Sequence, residues 1–147
     1  MSNKKCINFT VECKPPKKSP PDSVWTSKEV KHVFELRKNA FEARQKINMN
    51  DYFHNPVKLE LTVYDPNITQ RKDHHDYVGD LDSIIAGVCE SLQPADEQVK
   101  KVPEFEGYEE FGPRIPLILE DDAQVVEIIA KKIQDKVPHY LVTIEEK

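Results

Sequence analysis

The spacing of apolar residues changes repeatedly along this chain, and the order of those changes limits the folds open to it. Four stretches alternate apolar and polar residues as half-buried strands do, and two repeat apolar residues every three or four positions as amphipathic helices do. Their order is strand, helix, strand, helix, strand, strand. It predicts a small α/β (α+β) domain with two main helices and a mixed four-stranded sheet. The strand-like stretches begin at Ile7, Val57, Val126 and Pro138, and the helical ones run from about Thr26 to Ile47 and from Asp80 to Gln93.

Local signals set the expected ends of the helices. Thr26 and Glu29 have the spacing of a capping box, so the first helix is expected to begin there. The second helix is expected to stop before Pro94, because proline cannot continue it. The apolar stripe of the first helix is predicted to be core and consists of Val33, Leu36, Ala40, Ala43 and Ile47.

The chain has 147 residues, of which 38% are hydrophobic and 32% charged, with a mean hydropathy of −0.64. This length predicts one domain over residues 1–147 with a small core, which oligomerisation would extend. Residues 94–116 form a long insert with more acidic than basic residues and four prolines. Loops of this length are uncommon in compact domains unless they are functional or mobile.

No apolar stretch approaches membrane-spanning length, and the first residues lead into a strand pattern instead of a signal sequence. We therefore expect no membrane partner and a cytoplasmic location. Cys6, Cys13 and Cys89 are odd in number and lack CxxC spacing, so they indicate neither a disulfide framework nor a zinc site. We expect them to be reduced and half-buried.

The net charge of −5 conceals an uneven distribution. Residues 1–50 carry 11 Lys and Arg against 5 Asp and Glu, whereas residues 51–147 carry 10 against 21. Basic residues bind nucleic acid by neutralising phosphates, so the basic front of the chain is the predicted DNA-binding part. A solvated surface is the alternative for each lysine taken singly. The predicted DNA contacts are Lys14, Lys17, Lys18, Lys31, Arg37, Lys38 and Lys72.

Three of these lysines lie in a proline-rich segment, residues 14–21. Four prolines between positions 15 and 21 exclude regular structure and favour an extended, exposed loop. The segment is either a basic arm that lies along a phosphate backbone or a solvated linker.

Two acidic clusters carry the predicted chemistry. Asp80 and Asp82 open the second helix, and Glu120-Asp121-Asp122 follow about forty residues later. Gathering carboxylates is costly unless a cation neutralises them, and hard oxygen ligands suit Mg²⁺ that also binds water and substrate phosphate. The pattern indicates metal-assisted phosphate chemistry. For Asp80 or Asp82 alone, an N-cap role is the simpler alternative.

The polar stretch before Asp80 holds weaker candidates. His74 and His75 are possible metal ligands, but adjacent residues seldom converge on one ion without a turn. Tyr77 either stacks on a base or packs against the domain.

Both clusters together resemble those of the RusA family of Holliday junction resolvases. The similarity rests on Asp80-Leu81-Asp82 with its apolar helix and on Asp121-Asp122-Ala123-Gln124-Val125-Val126 entering a strand. It implies a small homodimeric, Mg²⁺-dependent endonuclease of DNA recombination and repair, and it covers most of the chain outside residues 94–116. By this resemblance Asp80, Asp82 and Asp122 are the catalytic carboxylates and metal ligands, with Asp121 beside them.

The chain departs from the family pattern at two positions. The family usually has Asn directly after the second aspartate and Lys four residues after it, whereas this chain has Ser83 and Ala86. Such a lysine would neutralise the scissile phosphate or assist the attacking water. The candidates to replace it are Lys72, Lys131 and Lys132.

Two functions are therefore expected alternatives. One is an endonuclease that cuts Holliday junctions or other branched DNA by attack of a metal-activated water on a phosphodiester. The other is a non-catalytic relative that binds branched DNA or serves as a dimeric scaffold, favoured by Ala86 and the overall acidity. A phosphatase or sugar transferase with a DxD motif fits less well, because such motifs normally follow a buried strand.

Overall fold

A four-stranded mixed sheet lies at the centre of the computed structural model, which describes residues 4–68 and 78–147. The strands stand in the order β1-β4-β2-β3, with β1–β4 and β4–β2 antiparallel and β2–β3 parallel. The predicted order of elements and the mixed sheet are confirmed. The elements are β1 (Cys6–Val11), α1 (Val30–Lys46), β2 (Val57–Asp65), α2 (Leu81–Leu92), β3 (Val125–Gln134) and β4 (His139–Glu146).

The core lies on one face of the sheet. Strand β1 buries every second residue, and β2 and β4 do the same. These side chains meet the buried stripes of α1 and α2, which include Leu36 and Val88. Removing this apolar surface from water is the main stabilising term of such a domain. Among the described residues no helix is both long enough and apolar enough to cross a membrane.

The first helix begins later than its capping residues predict. Helix α1 starts at Val30, and its N-cap residue Glu29 makes no side-chain cap hydrogen bond. The Glu29 carboxylate instead accepts a hydrogen bond from the Lys17 backbone N–H at 3.1 Å, and the Thr26 backbone N–H donates to the Ser23 carbonyl at 3.2 Å. The capping-box prediction is wrong because both groups of the expected hydrogen bond have other partners. Ile47 is also not core, because the helix ends at Lys46 and leaves Ile47 50% exposed.

The proline-rich segment is packed onto α2, so the expectation of a fully exposed loop is wrong for its first part. Pro15 and Pro16 are buried, and the Lys18 backbone N–H donates to the Ser83 carbonyl at 3.0 Å. The close approach requires Gly87, because a Cβ at that position would lie 2.3 Å from the Pro16 carbonyl oxygen. A side chain cannot occupy that space unless the backbone moves.

We expect Gly87→Ala to destabilise the protein by about 1–3 kcal/mol, the usual cost of overpacking. In an open helix the same change would stabilise by roughly 1 kcal/mol, so a loss of stability shows that the contact with Pro16 outweighs helix propensity. Urea unfolding measures the difference. Gly112→Ala is the matched control, because a Cβ there meets nothing closer than 3.5 Å. A Gly87→Ala protein more stable than wild type would contradict the packing.

The insert, residues 94–116, wraps around α1. It forms two short 3₁₀ turns, Pro103–Phe105 and Glu109–Phe111, whose phenylalanines are buried. The ring of Phe34 on α1 lies 5.2 Å from that of Phe105 and 5.5 Å from that of Phe111. The insert is therefore a packed part of the domain.

Arg37 holds the insert in place and is not a DNA contact, contrary to the sequence prediction. The side chain is fully buried, and its guanidinium lies 5.1 Å from the ring centre of Trp25. Burial lowers its pKa to about 9, so it remains protonated at neutral pH. Its five hydrogen bonds go to the carbonyls of Phe111, Ser91, Gln93, Gly112 and Ile115.

The three cysteines are free thiols in different environments. Cys13 is half-buried as expected, whereas Cys6 is exposed and Cys89 is buried. Burial raises the pKa of Cys13 to about 11 and that of Cys89 to about 12, so both are protonated at neutral pH.

Candidate functional site

The first acidic pair lies at the start of α2. Asp80 occupies the N-cap position with an extended backbone, φ −68° and ψ 145°, but its side chain makes no cap hydrogen bond. The Asp80 carbonyl accepts from the Ile84 backbone N–H at 3.0 Å. Asp82 lies in the first turn and is exposed. Neither carboxylate is needed to cap the helix, so the N-cap alternative does not account for them.

The second acidic pair lies in a turn that is held by local hydrogen bonds just before β3. The Asp121 carboxylate accepts from the Ala123 backbone N–H at 2.8 Å. Gln124 closes the capping box by accepting from the Asp121 backbone N–H at 3.1 Å, and it donates to the Phe53 carbonyl. Asp121 therefore has a structural role in this turn.

Asp122 is hydrogen-bonded to the C-terminal end of α2. Its backbone N–H donates to the Gln93 side-chain oxygen at 2.8 Å. Partial burial raises the pKa of the Asp122 carboxyl, and the neighbouring Asp121 and Glu90 raise it further, while the charge of Lys18 lowers it. The excess of negative charge is what a bound cation would relieve.

The two acidic pairs are not brought into one group. Asp82 and Gln93 are eleven residues apart on or beside α2, so they lie roughly 16 Å apart along its axis at about 1.5 Å of rise per residue. Within residues 4–68 and 78–147 no three His, Cys, Asp or Glu side chains are close enough together to hold a metal ion. The four predicted ligands therefore fall into two pairs at opposite ends of one helix.

One helical face connects these ends. Asp82, Ala86, Cys89 and Gln93 follow the spacing i, i+4, i+7, i+11, which places them on the same side of α2. Burial is the main cause of the raised pKa of Cys89, and the negative charge of Asp122 raises that pKa further. Asp82 therefore lies on the side of α2 that borders the Asp121–Asp122 turn.

Lys18 is the cation on the neighbouring side of α2. Its backbone N–H reaches Ser83, and its ammonium lies 3.3 Å from the Glu90 carboxylate. Its charge also acts on Asp122. The sequence does not single out Glu90 or Gln93, because only the packing of a distant segment makes them neighbours of Asp122.

The other predicted cations lie in different places. Lys31 and Lys38 are exposed on α1, and Lys14 and Lys17 are half-buried in the proline-rich segment. Lys72, together with His74, His75 and Tyr77, lies outside the described residues.

Two of the candidates to replace the family lysine do not fit that role. Lys131 pairs with Thr62 of β2, on the opposite face of the sheet from buried Leu61 and Val63, so it points away from α2. Lys132 lies on the helical side, but its ammonium is 3.3 Å from the buried carboxylate of Asp65. Lys18 is better placed than either.

No protein-family model matches the chain, and no curated protein matches it.

Proposed function

We propose that this protein is a Mg²⁺-dependent endonuclease that cuts Holliday junctions or other branched DNA. The observation that carries the proposal is the position of Asp122, whose backbone N–H donates to the Gln93 side chain at 2.8 Å at the end of α2. Partial burial and the neighbouring Asp121 and Glu90 also raise the pKa of its carboxyl. The sequence similarity to RusA resolvases, the matching order of elements and the position of Lys18 support the same function.

The donor set suits Mg²⁺, which proteins often hold through one or two carboxylates while water and substrate phosphate complete its shell. Asp122 and Asp121 would hold such an ion, and Asp80 and Asp82 would join them only if the first turn of α2 came closer. The ion would lower the pKa of a bound water and stabilise charge on the phosphate. Asp121 also keeps the turn in shape through its hydrogen bond to Ala123.

Lysines of the basic front would bind the DNA backbone. Lys31 and Lys38 are seven residues apart on α1, which places both on one exposed helical face. Lys18 would bind a phosphate close to Asp122. It would supply the positive charge of the family's lysine, whose position Ala86 occupies in this chain. Two copies related by a two-fold axis would cut two strands of a four-way junction symmetrically. A cytoplasmic location is part of the proposal.

The proposal is tested with a labelled four-way junction and a linear duplex of matched sequence, each incubated with and without Mg²⁺. Cleavage of the junction alone, and only with Mg²⁺, is the expected result. If neither substrate is cut across a range of Mg²⁺ concentrations, the protein is not this nuclease.

The alternative is a non-catalytic protein that binds branched DNA or serves as a dimeric scaffold. It is favoured by the separation of the two acidic pairs in the described residues and by the exposed Ala86. Its expected signature is junction binding without Mg²⁺-dependent cutting in the same assay.

We expect Ala86→Lys to raise the cleavage rate roughly tenfold if the missing cation limits the enzyme, since about 1.4 kcal/mol of transition-state stabilisation corresponds to that factor. If Lys18 already supplies the charge, Ala86→Lys alone should have little effect, Lys18→Ala should lower the rate, and adding Ala86→Lys should restore it. Single-turnover cleavage of the junction measures these rates.

The control for these lysine changes is Lys136→Ala, which removes an exposed lysine in the turn after β3. It should leave cleavage unchanged. If Lys18→Ala also leaves cleavage unchanged, Lys18 is not the substitute cation.

A further inference from the structure

The insert, residues 94–116, gathers its positive charges around one hollow. It contains three basic residues against six acidic ones, yet all three basic residues line the same cavity of about 400 Å³. They are Lys100, Lys101 and Arg114, and each is exposed. Among the described residues that line the hollow, Glu106 is the only acidic one. A positive patch therefore interrupts a segment whose net charge is negative.

These three cations have no carboxylate partner in the part of the chain that the structure describes. Neither Lys100 nor Lys101 forms an ion pair there, and neither does Arg114. Arg114 uses Nη1 to donate to the carbonyls of Ala95 and Asp96, at 3.2 and 3.0 Å. These bonds hold the guanidinium at the rim of the hollow, and its other nitrogens can donate to a bound anion.

An apolar surface continues from the basic hollow. A second hollow of about 280 Å³ adjoins the first, because Phe105, Pro113 and Arg114 line both. Phe105 is buried, and half-buried Ile115 also lines the second hollow. Glu109 lies there too and would repel an anion. The two hollows form one groove with a basic end and an apolar end, which we call the insert groove.

We propose that the insert groove binds an acidic peptide segment of a partner protein, in which an apolar residue adjoins the carboxylates. The carboxylates bind Lys100, Lys101 and Arg114, and the apolar side chain enters the hollow lined by Phe105 and Ile115. Opposite charge orients the peptide, while burial of the apolar side chain adds affinity. The groove fits a peptide better than DNA, because DNA binds mainly through phosphate contacts, which need no apolar surface.

The inference concerns the insert and does not depend on the nuclease proposal, so the two can fail separately. Fluorescence anisotropy measures binding of a labelled peptide, a run of aspartates followed by a leucine, to the whole chain without DNA or Mg²⁺. Binding should weaken as salt is raised. Replacing the leucine with glycine should raise the dissociation constant roughly tenfold, because the apolar hollow then stays exposed to water. Replacing the aspartates with asparagines should do the same.

Charge reversal on the protein tests the basic end of the groove. The double variant Lys100→Glu and Lys101→Glu should raise the dissociation constant of the peptide at least about tenfold, because repulsion replaces attraction at both positions. Lys5→Glu with Lys136→Glu is the matched control, since it makes the same change of net charge at two exposed lysines outside the groove. It should leave peptide binding nearly unchanged. Circular dichroism checks that both variants are folded.

A protein that does not bind the peptide overturns the proposal, and so does binding that the double variant and its control weaken equally. Binding that does not depend on the leucine overturns the role of the apolar hollow. If a linear DNA duplex displaces the peptide and its binding needs Lys100 and Lys101, the groove belongs to nucleic acid and the peptide proposal is wrong.

Discussion

Replacing Arg37 with methionine is expected to lower the free energy of unfolding by about 3–5 kcal/mol, a large part of the stability of a domain of this size. Methionine fills much of the space but donates no hydrogen bond. The carbonyls of Phe111 and Gly112, which the guanidinium contacts at 2.9 and 2.6 Å, would lose their partner. A buried acceptor without a partner typically costs about 1–3 kcal/mol of stability. Several such acceptors together therefore destabilise the protein more than the loss of one surface ion pair does.

Urea unfolding measures the change, and Lys38→Met is the matched control. Lys38 is the next residue on the same helix but is exposed, so its replacement should change stability by less than about 0.5 kcal/mol. Arg37→Lys should fall between the two, because one ammonium has three donors and cannot reach carbonyls on both α2 and the insert. An Arg37→Met protein as stable as wild type would show that water satisfies these carbonyls.

Replacing Asp122 with asparagine is expected to lower Mg²⁺-dependent junction cleavage roughly a thousandfold, since losing about 4 kcal/mol of metal-derived stabilisation corresponds to that factor. Junction binding should be retained or become tighter, because removing a carboxylate also removes repulsion of phosphate. Asp82→Asn should have the same effect if both ends of α2 serve one ion. Asp121→Asn should be milder, since asparagine can still accept the hydrogen bond from Ala123.

Single-turnover cleavage and a gel-shift assay on the same junction separate rate from binding. Glu104→Gln removes an exposed carboxylate in the insert and controls for the change in net charge. An Asp122→Asn protein that cuts at the wild-type rate would remove Asp122 from the proposed site. If only Asp122→Asn were inactive and Asp82→Asn were active, the ion would belong to the Asp121–Asp122 turn alone.

The strands and the second helix were predictable because their signals are local. Alternation around Ile7, Val57 and His139 has the period of a strand, and each of these elements is present. Helix α2 ends at Leu92, before Pro94, because proline cannot continue the helical hydrogen bonds. The acidic motifs were equally visible, since they are short and continuous.

The remaining features depend on contacts between distant segments. Lysines on a helix surface and a buried arginine look alike in sequence, and Arg37 is buried only because carbonyls from α2 and the insert converge on it. The Glu29 carboxylate binds the backbone N–H of Lys17, twelve residues away, and makes no cap hydrogen bond to α1.

The sequence by itself determined the order of elements and the identity of the acidic residues, because apolar periodicity and short motifs are properties of neighbouring residues. Tertiary structure alone decided the parallel pairing of β2 with β3, the packing of the proline-rich segment on α2 and the separation of the acidic pairs. These depend on which surfaces exclude water together and on which buried polar groups find partners, and no local pattern records that outcome.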